Sequence, residues 1–334
     1  MPLVAGVDCS TQSTKVLIVD SDTGSIVATG RSGHHVTGSG GARETDPLVW
    51  WKALASALAD SGRASEVEAI SVAGQQHGMV VLDQSGAPLR RAKLWNDTES
   101  APDATALIQA TGGPDWWAEH IGLVPVASFT ATKWAWLRRV EPDVAAATAA
   151  IRLPHDFLNE RLTGLGTTDR GDGSGTAWWS TATEQYAQEV LDLATLELDP
   201  ALLPAVLGPQ EAAGEVTTAA AGYLGLTTGI PVGPGTGDNA GAALGLGLDS
   251  GTPVISLGTS GTAFMVSRTR TVDPSGTVAG FADATGRFLP LAATLNCTLA
   301  VDRIAAWLGI DREAAAERTD AVVLPYFDGE RTPN

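Results

Sequence analysis

Two short stretches of small, hydroxylated residues carry the first chemical signal. Asp8-Cys9-Ser10-Thr11-Gln12-Ser13 lies between apolar runs at 3–7 and 16–19, and Gly258-Thr259-Ser260-Gly261 lies between apolar stretches at 253–257 and 262–266. Turns of this composition gather backbone N–H groups and hydroxyls with no bulky side chain in the way, which suits a phosphate. Two such turns could hold the β- and γ-phosphates of a nucleotide, with Asp8 adding a carboxylate for Mg2+ or its waters. Taken singly, each also reads as an ordinary hairpin loop. Asp238 follows Gly233, Gly235 and Gly237 and opens a small-residue helix. It reads either as a helix N-cap or as a carboxylate able to take a proton from a substrate hydroxyl. His77, in Gly74-Gln75-Gln76-His77-Gly78, reads as a structural histidine or as a donor to sugar hydroxyls.

The elements that must position these residues follow from pattern. The runs at 3–7, 16–19 and 26–28, separated by turn residues, predict an antiparallel meander. Asp46 as N-cap and Pro47 at the first helical position predict a helix, with Trp51, Leu54, Ala55 and Leu58 on one face. A strand is expected at 67–73, and helices at 103–111, 130–139, 143–149, 155–162, 184–194 and 240–248. The first and last hydroxylated turns resemble each other at an offset of 248 residues. Each stands near the start of a predicted lobe, which suggests a duplicated α/β fold with a cleft between a lobe at 1–228 and a lobe beginning at 229. Nine of the ten tryptophans precede residue 180. They read as core packing, with the walls of a sugar pocket as the alternative.

Composition removes several classes. A net charge of −17 with only 4 Lys and 17 Arg argues against nucleic acid or an anionic membrane as partner. With 44% hydrophobic and 18% charged residues the chain is globular. Two cysteines make neither a disulfide scaffold nor a four-ligand zinc site. No apolar run reaches the ~18 residues of a membrane span, and the first residues lack a signal-peptide pattern, so a cytoplasmic protein is the expectation. No GxxxxGK[ST], HExxH, CxxC or GxSxG motif occurs, nor a GxGxxG after the first strand.

In chain order, the sequence resembles the FGGY carbohydrate kinases. The resemblance rests on the first turn from Asp8 to Lys15, Glu44-Thr45-Asp46-Pro47 with Trp50-Trp51, Gly74-Gln75-Gln76-His77-Gly78 and Leu94-Trp95-Asn96-Asp97. It continues through Phe129-Thr130-Ala131-Thr132-Lys133, Leu153-Pro154-His155-Asp156-Phe157-Leu158, Thr168-Asp169 with Asp172, and Gly175-Thr176. It ends with Gly237-Asp238-Asn239, Gly258-Thr259-Ser260-Gly261 and a closing segment from Leu324 to Pro333. The Gln-x-His-Gly and Trp-Asn-Asp segments favour the pentulose kinases over glycerol kinase.

The resemblance implies an actin-like ATPase fold of two ribonuclease-H-like lobes around a cleft, 1–228 binding sugar and 229–334 forming the first part of the nucleotide lobe. It implies transfer of a phosphoryl group from ATP, with Mg2+, to a ketopentose, D-xylulose first. Ribulose, gluconate or another polyol is the alternative acceptor, and a non-catalytic sugar-binding fragment is the alternative from another class. By position, Asp238 is the general base and Asp8 serves catalysis on the metal side. Ser10, Thr11, Gln12, Lys15, Gly258 and Thr259 take the ATP phosphates. Gln76, His77, Trp95, Asn96, Asp97 and Asn239 take the sugar. A homodimer stays open.

Three departures from the family pattern bear on these roles. Ser10 stands where glycine is frequent, Gln76 where methionine is frequent, and the sequence ends at Asn334, short of the part that holds adenosine in the family. Uncovered apolar surface on the second lobe is therefore expected.

Overall fold

The computed structural model describes residues 2–258, 260–314, 320 and 322–327. Thr259, and the end of the closing motif from Asp328 onward, lie outside the described residues.

Strands β1 (Leu3–Cys9), β2 (Ser13–Asp20) and β3 (Ile26–Gly33) form the meander, with the order β1–β2–β3 and antiparallel pairing throughout. In β1 and β2 alternate apolar residues are buried, Leu3, Ala5, Val7 and Cys9 on the one and Val16 and Ile18 on the other, which fixes register because a one-residue slip would expose the whole set. Helix α1 (Leu48–Ser61) lies across β3 so closely that a Cβ on Gly30 would sit 1.8 Å from the Ala57 carbonyl oxygen. Only glycine permits that approach. The helix starts one residue later than expected: Asp46 Oδ1 accepts from Leu48 N–H at 2.9 Å, and Pro47 is the last residue before it.

Strand β4 (Val67–Gly74) then pairs in parallel with β1. The sheet is completed from far along the chain. Strand β5 (Gly214–Glu215) pairs with β6 (Pro231–Val232), and both β6 and β7 (Thr236–Gly237) run parallel to β4. The result is a seven-stranded sheet. The expected boundary between 228 and 229 therefore cuts through it: the glycine-rich segment 231–237 belongs to the first sheet. Its strands are two residues long and pair with a partner some 160 positions away, so no local pattern announces them.

The first core lies between this sheet, α1 and the helix Pro154–Thr163, with Trp50 against Phe157 at 6.3 Å. A second core gathers Trp117, Trp134, Trp136, Trp178 and Trp179 with Phe281 and Leu289. Those rings pack as core.

The segment 184–194 is a hairpin and a single turn of helix. Trp179–Ser180 pairs with Gln185–Tyr186, and only Gln188–Leu191 is helical. Two features override the helical spacing. Ser180 Oγ accepts from the N–H groups of Ala182 and Thr183, and Glu184 sits at φ +55°, outside helical backbone.

Beyond the short helix α2 (Asp238–Gly245) a four-stranded antiparallel sheet follows, β8 (Pro253–Leu257), β9 (Gly261–Met265), β10 (Ala279–Ala282) and β11 (Phe288–Thr294), in the order β8–β9–β11–β10. Helix α3 (Thr298–Leu308) packs beside it, with Thr298 N–H donating to Gly258 O at 2.9 Å. Ile255 and Leu257 on β8 are 71% and 72% exposed, and Trp307 on α3 is 70% exposed, so apolar surface on this second sheet and its helix faces solvent. No described helix is long and apolar enough to cross a membrane.

Candidate active site

Three parallel strands finish at one level of the first sheet. Cys9 of β1 pairs with Gly74 of β4, and Gly74 pairs with Gly237 of β7. The residues that follow each strand, Ser10-Thr11, Gln75-Gln76-His77 and Asp238-Asn239, therefore emerge together. The carboxyl ends of parallel strands are the usual place for a ligand in an open α/β sheet.

Asp238 begins α2 and is half-buried. Its Oδ1 accepts from both the backbone N–H and the side-chain Nδ2 of Asn239, each at 2.8 Å. The same Asn239 amide donates to Gln76 Oε1 at 2.9 Å, and Thr262 Oγ1 on β9 donates to Asn239 Oδ1 at 3.3 Å. A chain of amides thus ties the β4 turn, the candidate base and the second sheet. Gly237 makes room for it, since a Cβ there would lie 2.6 Å from Gln76 Cγ. Gln76 Nε2 is buried and has no hydrogen-bond partner among the described residues. A buried amide donor left in this state costs free energy that a ligand oxygen would recover. Loss of solvent around the Asp238 carboxyl raises its pKa to about 7, against the Asn239 hydrogen bonds and with added repulsion from Asp172 and Asp8. The carboxyl is therefore poised to exchange a proton near neutrality, as a general base should be.

In the first turn, Asp8 accepts from Ser10 Oγ at 2.7 Å and from Lys15 Nζ at 3.1 Å. Lys15 is its cross-strand partner in the β1–β2 register. Trp95 Nε1 donates to Thr11 Oγ1 at 3.1 Å, which brings the Trp95-Asn96 segment onto the turn. Gln12 is exposed. Gly258, in the second turn, is exposed, and Ser260 O accepts its N–H at 3.1 Å.

Two of the expected sugar residues are placed otherwise. Asp97 is buried, and its oxygens take Arg43 N–H at 2.8 Å, Lys93 Nζ at 2.9 Å and Glu99 N–H at 3.1 Å. Glu44, Asp97 and Glu99 lie close enough together to bind a metal, but the Lys93 ammonium sits among them, so the cluster is an ion-pair network. The His77 ring is 3% exposed, wedged between Phe129 at 5.2 Å and Phe281 at 5.1 Å. It is not an open donor at a cleft. Its backbone is in the left-handed region, φ +63°.

Beneath this turn lies a group that pattern reading gave no role. His155 is fully buried, with Nδ1 3.1 Å from Asp172 Oδ2 and Nε2 3.1 Å from Asp156 Oδ1 and 3.6 Å from Asp169 Oδ1. Burial alone would lower the His155 pKa, but Asp156, Asp172 and Asp169 overcome it and raise it to about 9. Burial raises Asp172 to about 6 despite the histidine. The available signal was compositional: one histidine and three aspartates between 155 and 172, in a segment that otherwise reads as helix and turn.

The pattern of the FGGY family of carbohydrate kinases, N-terminal domain, matches residues 3–245. A xylulose kinase of Streptomyces coelicolor is 60% identical over the whole chain, which spans 68% of that protein. A xylulose kinase of Escherichia coli is 32% identical over 98% of the chain and 70% of its own length. The crystal structure of xylulose kinase from Bifidobacterium adolescentis superimposes with a TM-score of 0.84 at 42% identity, covering 100% of this chain and 74% of that one. A match that spans both the strand ends and the residues emerging from them places the molecule: this chain belongs to the FGGY family of carbohydrate kinases.

Proposed function

We propose that this protein transfers the γ-phosphoryl group of ATP to D-xylulose, giving D-xylulose 5-phosphate and ADP. The observation that carries the reading is the Asp238 carboxyl, poised near neutrality at the shared strand ends and aligned by Asn239 with the Gln76 amide, whose Nε2 has no partner among the described residues. The relatives named as xylulose kinases supply the acceptor. In this scheme the sugar hydroxyl lies against Asp238, which accepts its proton as the oxygen bonds to phosphorus and the ADP oxygen leaves. Most of the catalysis is positioning and charge neutralisation. Ser10, Thr11, Gln12 and Lys15 would face the ATP phosphates from the first turn, and Gly258 with Thr259 from the second. Trp95, Asn96 and Asn239 join Gln76 on the sugar side. The Asp8 carboxylate is partly exposed at a strand end, and one carboxylate with water and phosphate oxygens suits Mg2+. When bound, the ion would neutralise phosphate charge.

Two expectations test the site. Because Asp238 must be ionised to accept a proton, kcat/KM for the ketose should fall about tenfold per pH unit below the carboxyl's pKa of about 7 and level off above it. A rate independent of pH between 5 and 8 would contradict this. Gln76→Ala removes the buried donor and loosens Asn239, so the ketose KM should rise roughly five- to tenfold with the ATP KM unchanged. Steady-state kinetics with each substrate varied in turn reads both.

A further inference from the structure

A strained turn and a catalytic strand are held at a fixed spacing by one short buried segment. His77 carries a side chain in left-handed backbone, a conformation that persists where its surroundings hold it. Asp172 Oδ1 accepts the His77 backbone N–H at 3.3 Å and lies 3.7 Å from the ring Nδ1, while Thr130 Oγ1 donates to the His77 carbonyl at 3.3 Å. Asp169 acts on the other side. Its Oδ2 accepts from Thr236 Oγ1 at 2.8 Å, two residues before Asp238. Asp169 also caps the turn of helix Arg170–Ser174, accepting from Gly171 N–H at 2.8 Å and Asp172 N–H at 3.0 Å. The two carboxylates are thus fixed to one another, and His155 sits between them. The same turn of helix reaches the second sheet, where Ala282 N–H donates to Ser174 Oγ at 2.9 Å and Arg170 Nη1 donates to Arg287 O at 2.7 Å.

We infer that Asp169 and Asp172, clamped by His155, are positioning residues that set the Gln76–His77 turn against the Asp238 strand. Asp172 governs the turn and hence ketose binding. Asp169, through Thr236, governs where the Asp238 carboxylate stands and hence the chemical step. Neither touches the substrates. The inference rests on the kinase reading above, so the wild-type protein must first release ADP with D-xylulose; if it does not, it is that reading which fails.

The test separates the two arms. Asp172→Asn keeps the shape and removes the charge that His155 holds, and should raise the ketose KM roughly tenfold while the ATP KM stays within about twofold. Thr236→Val keeps the volume and removes only the hydroxyl on Asp169. It should lower kcat roughly tenfold with the ketose KM within about twofold. Thr236→Val and Asp169→Asn decide the matter if Asp172→Asn does not fold. A cluster that only stabilises the fold would lower the melting temperature while leaving kcat and both KM values of the folded enzyme near wild type. That result, or an equal rise in the KM for ATP and ketose, overturns the inference.

Discussion

Asp238→Ala should lower D-xylulose phosphorylation at least about 100-fold, the usual range for loss of a general base. The protein should remain folded, because the carboxylate caps nothing beyond its neighbour: its described hydrogen bonds both come from Asn239. Removing it also deletes a carboxyl that the protein keeps partly protonated near neutrality, so folding gains rather than loses electrostatically. Ketose binding should survive within a few-fold, since Gln76 and the Trp95 segment are untouched. Steady-state ADP release and calorimetric titration with D-xylulose read the two quantities separately. Turnover within tenfold of wild type would remove Asp238 from the role of base.

Lys93→Met should destabilise the protein by about 3–5 kcal/mol, the cost of leaving a buried charge without its partner. Lys93 is completely buried, with its ammonium 3.8 Å from the Trp136 ring centre, 2.9 Å from Asp97 Oδ2 and 2.5 Å from Glu99 Oε2. Glu44 and Glu99 are partly exposed and can rehydrate, but Asp97 is buried and cannot. The network closes the loop that carries Trp95 and Asn96, so ketose affinity should weaken along with stability. Urea unfolding measures the loss. Adding Asp97→Asn should return a large part of it, because the stranded charge is then gone. A single-variant loss below about 1 kcal/mol would mean that the ion pairs contribute no more than exposed ones do.

The readable parts of this sequence are those where local pattern and final structure agree. The meander was legible because β1 and β2 alternate buried residues with more exposed ones and the three strands are joined by short turns. Asp238 stood out because three glycines precede it and a helix follows. What stayed hidden is non-local. The two-residue strands at 231–232 and 236–237 acquire their meaning only from β4, with which they pair from beyond the expected boundary at 228–229. Asp97 sits next to Trp95 and Asn96 in sequence, yet Lys93, four residues earlier, claims its carboxylate. Asp172 meets His77 across 95 positions, a contact that neither motif displays by itself. His77 left two readings open, structural or donor to sugar, because Phe129 and Phe281, which enclose the ring, arrive from two other elements.

The most direct test of the account is ADP release at saturating ATP and Mg2+ with D-xylulose, D-ribulose, gluconate and glycerol compared side by side, the products followed by phosphorus NMR. The account predicts that D-xylulose gives the highest kcat/KM, that the product is D-xylulose 5-phosphate, and that Asp238→Ala lowers the signal at least about 100-fold. ADP release that is indifferent to the acceptor, or another acceptor favoured over D-xylulose by tenfold or more, would contradict it.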